Sequence, residues 1–268
     1  MSDYRTDHDL TSQLANGSKE DIAVLVDLIT DNGKGRLSLS QEALDELVAM
    51  KVSTLGKTPE GQLRFATELQ KYGANTLISF FRGGKGVLYK EIVCDVADHV
   101  GANHDSNQDV AEIESAILLK IVERSLEKMS ESEKKEFFNQ FGVAYTGIGP
   151  AAMVSLIAVV RLSGLSFYRL ATIVAQATAK SLIGRGLTFA TTGTLMRGIS
   201  VFSGPIGWAI TGIWTAFDLA SPAYRVTVPC VIQLAYMRQK LLIQECPSCH
   251  AGVTRGKKFC GDCGHKFE

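Results

Sequence analysis

Acidic side chains all but vanish from the middle of this sequence. Between residues 141 and 237 Asp218 is the single carboxylate, set against Arg161, Arg169, Lys180, Arg185, Arg197 and Arg225. Residues 1 to 140, by contrast, carry 24 acidic and 16 basic side chains. Seven charges in 97 residues, where the whole chain has 21% charged residues, exclude an ordinary solvated segment, so this stretch must be covered by protein or by lipid. The formal net charge of +0 therefore conceals an acidic half joined to an apolar, mildly basic one. At 268 residues the chain can bury a good core. The charge divide suggests an acidic helical domain at 1–140, an apolar helical domain at 141–244 and a tail at 245–268.

Other absences narrow the function. The opening MSDYRTDHDL has neither the basic n-region nor the apolar h-region of a secretory signal, so the acidic half is expected to remain in the cytoplasm. There is no HExxH and no GxSxG serine elbow, so no enzyme is expected. The run Arg82-Gly83-Gly84-Lys85-Gly86 lacks the earlier glycine of a phosphate cradle and has Gly86 where Ser or Thr should follow the lysine; it reads as a cationic loop. Asp105, Asn107 and Asp109 open like a calcium loop, but Val110 takes the glycine position and Ala116 the bidentate-acid position. Asp95, Asp98 and His99 share about one helical turn without a second His or acid cluster to complete a metal site, and read as a partly exposed helix face.

Period-two alternation is missing outside the tail, and helical spacing is everywhere, so the fold class is all-α. From Val110, the residues Ile113, Ile117, Ile121, Val122, Leu126 and Met129 recur three or four apart. Leu88, Ile92, Val96 and Val100 share a second stripe, and further helices are expected near 21–31, 41–51, 60–72 and 131–141. Thr58 before Pro59, and Ser130 with Glu133 three residues on, are helix-start signals.

Long uninterrupted apolar runs are also lacking. Glycine and proline divide the apolar half into segments near 150–163, 166–182, 187–202, 205–220 and 224–244. The segment Pro205 to Ala220 spans roughly 24 Å at about 1.5 Å per residue, short of the roughly 30 Å hydrocarbon core. Two readings follow: a buried core whose small residues let helices pack closely, or a hairpin that enters or lies along a bilayer. Low charge, Trp208, Trp214 and the basic excess favour membrane association.

Cysteine is scarce until the tail. Cys94 and Cys230 stand singly in apolar stretches and read as buried thiols. The other four form Cys246-Pro247-Ser248-Cys249 and Cys260-Gly261-Asp262-Cys263, two CxxC turns ten residues apart. That spacing is a zinc ribbon, Zn2+ held structurally by Cys246, Cys249, Cys260 and Cys263, with iron in the same thiolate site or a redox dithiol as alternatives. Four thiolates leave no open position for a catalytic water. Gly264 follows the second pair where the turn favours a residue without Cβ; His250 holds the equivalent first position and makes that knuckle less ideal. Arg255, Lys257, Lys258 and Lys266 make the ribbon basic, but no aromatic stacking array accompanies them.

The run SPAYRVTVPCVIQLAYMR from Ser221, with the upstream TELQKYGANTLISFFRGGKGVLYKEIVCDV, resembles the bacterial YaaW-like family of uncharacterised proteins, related to the ubiquinol-cytochrome c chaperone domain. The similarity covers most of residues 5 to 240. It implies an α-helical bacterial protein without known catalysis, to which the zinc tail is an addition. Within the matching blocks Arg82, Lys85, Tyr89, Tyr224 and Arg225 are the candidate interaction residues; Tyr224 and Arg225 could instead cap a core helix or pair with Asp218. The function expected is a non-enzymatic membrane-associating protein at the inner face of the membrane, serving membrane stress or defence. Its partners would be lipid and a protein or a second copy of itself, docked through the ribbon, with no small-molecule substrate. The alternatives are a soluble chaperone or assembly factor, and a nucleic-acid-binding module acting through Arg255, Lys257 and Lys258.

Overall fold

A computed structural model describes residues 5–74, 87–145, 147, 150–187, 205–207, 212 and 223–267, with the side chains of 150–152 left out. The chain folds as helices α1 (His8–Asn16), α2 (Lys19–Thr30), α3 (Gln41–Val52), α4 (Pro59–Ala74), α5 (Tyr89–Val100), α6 (Val110–Leu126) and α7 (Glu131–Asn139). These are followed by α8 (Pro150–Leu162), α9 (Gly164–Ile183) and α10 (Tyr224–Leu241). The strands β1 (Ile243–Glu245) and β2 (Gly252–Thr254) close the described chain. The all-α reading holds, with the ribbon hairpin as the one sheet among the described residues.

The local start signals act as expected. Ser130 Oγ accepts the Glu133 N–H at 3.3 Å while the Glu133 carboxylate accepts the Ser130 N–H at 2.8 Å, a complete capping box. Thr58 Oγ1 accepts the Gly61 N–H at 3.2 Å, with Pro59 at the first helical position, where its missing N–H costs nothing. Helix α1 was not expected. Its sequence HDLTSQLAN offers only Leu10 and Leu14 as large apolar residues, too few to show a period, yet both are fully buried.

Helix α10 is the axis of the molecule. It packs against α9, α2, α6, α5, α4 and α1, and Val226, Val228, Val231, Ile232 and Leu234 are fully enclosed. Helix α9 lies beside it with Leu170, Ala171, Val174 and Ala177 equally covered. Each such large aliphatic side chain contributes about 1.5–3 kcal/mol by leaving water. Residues on both sides of position 140 thus share one hydrophobic core. Cys230 belongs to it, and burial pushes its thiol up to about 12, the mark of an inert apolar residue.

Among the described residues, no single helix is long and apolar enough to cross a membrane. The pair Met153–Leu162 and Gly164–Ile183 suffices in combined length but is bent by 116° at Ser163. Residues 188–202 of the segment expected at 187–202 and most of that at 205–220, with Trp208, Trp214 and Asp218, lie outside the described residues, as do Arg82 and Lys85.

Candidate metal centre

The tail leaves α10 at Leu242 and runs directly into β1, which pairs antiparallel with β2 in the register Ile243 with Thr254, Gln244 with Val253 and Glu245 with Gly252. The two CxxC turns then repeat one another. The Cys246 carbonyl accepts the His250 N–H at 2.9 Å, and the Cys246 N–H donates to the Ala251 carbonyl at 2.8 Å. Fourteen positions on, Cys260 does the same with Gly264 at 3.0 Å and His265 at 2.8 Å. Both turns close through a left-handed residue, His250 at φ 59° and Gly264 at φ 74°. His250 therefore adopts the conformation that glycine takes more cheaply, and its exposed ring sets Nδ1 2.5 Å from Glu245 Oε1.

These turns bring the four sulfurs together. Cys246 Sγ lies 3.6 Å from Cys263 Sγ, Cys249 Sγ lies 3.6 Å from Cys260 Sγ, and all four fall within 4.8 Å of one another. Metal–sulfur bonds of about 2.3 Å arranged tetrahedrally require sulfur–sulfur edges of about 3.8 Å. A disulfide would need about 2.05 Å, so the four cysteines are free thiols spaced to surround one ion. Cys246 and Cys260 are buried, Cys249 is half-buried and Cys263 exposed, so one edge of the centre meets solvent. The arrangement can hold a metal and supplies no vacant coordination position for a reaction. Among the described residues it is the one group of His, Cys, Asp or Glu with ligand spacing. Asp98 instead approaches His104 Nδ1 at 3.7 Å, while His99 stacks on Tyr224, so Asp95, Asp98 and His99 do not converge.

The ribbon is fastened to the body. Arg255 Nε donates to the Leu241 carbonyl at 2.8 Å and the Arg255 N–H to the Leu242 carbonyl at 2.8 Å, capping the C-terminus of α10. Thr254 rests on the start of α9, where a Cβ on Gly164 would come 3.4 Å from Thr254 Oγ1. A cleft of about 380 Å³ remains at the seam, bordered by Ser18, Asp21, Lys57, Tyr168 and Lys240. Its charges are matched internally: Lys240 Nζ meets Asp21 Oδ2 at 2.9 Å, and Lys57 donates to the Gly17 carbonyl.

The remaining candidate residues do not form a group. Lys257 and Lys258 are exposed on the ribbon, away from the capping role of Arg255. Tyr89 is fully buried, its hydroxyl donating to Glu114 Oε1 at 2.7 Å and its N–H to Asp7 Oδ2 at 2.6 Å. Tyr224 is half-buried, its ring stacked on His99 with centroids 3.8 Å apart. Burial, then the nearby Arg124, depresses the His99 imidazole below its ordinary value. Arg225 is exposed at the start of α10.

Sequence reasoning missed the charged cluster around Tyr89. Arg238 on α10 donates through Nε to Glu114 Oε2 at 2.7 Å and through both terminal nitrogens to Asp9. A second buried acid, Asp27, takes Lys51 at 2.5 Å and Arg185. The available signal was Glu114 itself, a carboxylate beside Ile113 and one turn from Ile117 and Leu118 on the buried face of α6.

No family model and no solved structure matches the chain. It is 45% identical over 179 residues to a UPF0174 protein of Helicobacter pylori strain J99, covering 66% of this chain and 70% of that one. A second UPF0174 protein of the same strain is 41% identical over 184 residues and 88% of its length. The UPF0174 protein YaaW of Escherichia coli K12 is 30% identical over 244 residues, covering 88% of this chain and 95% of that one.

Proposed function

The chain belongs to the UPF0174 family, and we propose that it acts without catalysis at the inner face of the cytoplasmic membrane, lying on lipid through α8 and carrying a structural zinc ribbon. The observation that carries this reading is the exposed face of α8. Val154 is 64% exposed and Leu162 88%, and Ala158 between them is exposed too, a stripe at helical spacing of four. Single exposed aliphatics are ordinary; three on one face, in a helix without a carboxylate and with Arg161 alongside, suit an anionic lipid surface. Helix α8, at 13 residues, is about 20 Å long, well short of the roughly 30 Å needed to span. It would therefore lie in the headgroup region while α9 and α10 remain the protein's own core.

Zinc is the metal that best suits four thiolates at tetrahedral spacing, with iron the competitor that elemental analysis separates. The ribbon's part in this reading is docking of a protein partner or a second copy.

Vesicle flotation of the purified full chain tests the proposal. The protein should float with vesicles, and Val154→Ser with Leu162→Ser should abolish flotation while helical circular dichroism is unchanged. Recovery of the unaltered chain wholly in the soluble fraction overturns it. The second reading, a soluble chaperone or assembly factor, draws support from the burial of α9 and α10, and predicts that the same stripe captures an unfolded client without lipid.

A further inference from the structure

The far end of the ribbon carries a feature that the metal does not need. Phe259 is 57% exposed, although the neighbouring Val253 and Cys260 are buried in the ribbon's small core. Phe259 forms a bridge with Lys266, so these two side chains stand on the same side of the hairpin, and Lys257 and Lys258 precede it, also exposed. Asp262 is the one carboxylate between Arg255 and Lys266. Arg255 is occupied at the end of α10, which leaves Lys257, Lys258 and Lys266 as the ribbon's exposed lysines, Lys266 across the bridge from Phe259. The scaffold matters, because residues beside turns that a metal would pin lose little further backbone freedom on binding.

We propose that this tip, Lys257, Lys258, Phe259 and Lys266, is a second membrane contact that recognises anionic phospholipid headgroups; this rests on the reading of α8 as a lipid-facing helix. Charge sign selects the partner: the tip is basic, whereas residues 1 to 140 carry eight more acidic than basic side chains and would be repelled by the same surface. Shape selects further. Sequence-tolerant binding of single-stranded nucleic acid uses a basic groove with several aromatic platforms in succession, whereas a lone exposed ring beside lysines suits insertion at a lipid interface. The ribbon is also joined to the body near α8, because Thr254 of β2 rests on Gly164 at the start of α9, two residues after Leu162 in sequence. Two weak anchors on one chain would together hold a membrane where either alone is marginal.

The experiment titrates the full-length, metal-loaded chain with vesicles of phosphatidylcholine alone and of equal parts phosphatidylcholine and phosphatidylglycerol. The unaltered chain should prefer the anionic vesicles. Replacing Lys257, Lys258 and Lys266 by Gln should lower partitioning onto them about 100-fold, from about five-fold per lysine, without changing binding to neutral vesicles. Arginine at the same three positions should preserve the preference, and metal content must be equal in all variants. Phe259→Ala should weaken binding to both compositions. If the glutamine variant keeps the anionic preference, the tip is not the reader, while α8 can still be the anchor. If Val154→Ser with Leu162→Ser leaves anionic binding intact and the glutamine variant removes it, α8 fails and the tip stands. No binding to either vesicle overturns both. Tight, salt-sensitive binding of a single-stranded oligonucleotide, lost in the glutamine variant and without any anionic-vesicle preference, assigns the tip to nucleic acid and overturns the lipid reading.

Discussion

Arg238 and Asp9 stand 229 residues apart in sequence and meet in a two-pronged hydrogen bond, Nη1 to Oδ1 at 3.0 Å and Nη2 to Oδ2 at 2.7 Å. The same guanidinium turns its Nε to the enclosed Glu114, which in turn accepts the Tyr89 hydroxyl. One cation thereby ties α1, α5 and α6 to the central helix α10.

Removing that cation should leave Glu114 buried without a counter-charge. Arg238→Met is expected to destabilise the fold by about 3–5 kcal/mol, because breaking one side of a buried pair exposes the full desolvation cost of the other. Arg238→Lys should recover only part of this, since an ammonium cannot form the fork. Pairing Arg238→Met with Glu114→Gln should recover most of it. Urea unfolding decides; an Arg238→Met variant as stable as its parent would show that the cluster contributes nothing.

Burial pushes the Glu114 carboxyl above its ordinary 4.5, against the lowering pull of Arg238 and of the Tyr89 hydroxyl. A carboxyl raised in the folded state contributes stability that is fully present below the unfolded value and is lost as pH rises through the folded one. Glu114→Gln removes that titration. Its stability relative to the parent should therefore climb as pH rises from below 4.5, measured by unfolding at several pH values. A difference independent of pH contradicts this.

Metal removal should be local. The ribbon's separate small core of Cys246, Val253 and Cys260 cannot hold β1 and β2 together alone, and a structural thiolate site supplies about 10 kcal/mol or more of coupled folding energy. Chelation, or Cys246→Ser with Cys260→Ser, should expose the amides of residues 243–267 to hydrogen exchange while α2, α6 and α9 stay protected. Unchanged protection in the ribbon would mean that the tail folds without metal.

His250 and Gly264 occupy equivalent left-handed positions, and only the glycine does so without a steric cost. His250→Gly removes a strain of about 1 kcal/mol, and the exposed contact with Glu245 that it gives up is worth less. Metal affinity should rise several-fold in competition with a chelator, while Gly264→His should lower it. Equal affinities in both variants would show that backbone strain does not limit the site.

Gly61 sits where α4 crosses the turn before it. A Cβ there would lie 2.1 Å from the Leu55 carbonyl oxygen, and backbone cannot yield as a side chain can. Gly61→Ala should cost about 1–3 kcal/mol or more, despite alanine's better helix propensity. A thermal midpoint at or above the parent's would refute the close approach.

Much of this protein is legible in its sequence because the signals are local. The stripe from Ile113 to Leu126 and the Ser130 capping box specify α6 and the start of α7 within a few turns, and the two CxxC pairs specify a four-sulfur centre from spacing alone. Short α1 escaped because two leucines make no period. What the sequence could not decide was the cover for its charge-poor half, since an apolar helix reads the same whether protein or lipid surrounds it. For α9 and α10 the tertiary structure decides it: the acidic half's own helices close around α10, and Tyr89, a candidate interaction residue by sequence, is sealed inside with Glu114 and Arg238. Such pairings depend on which chain segments meet in space, and no periodicity along the chain records a contact across 229 residues.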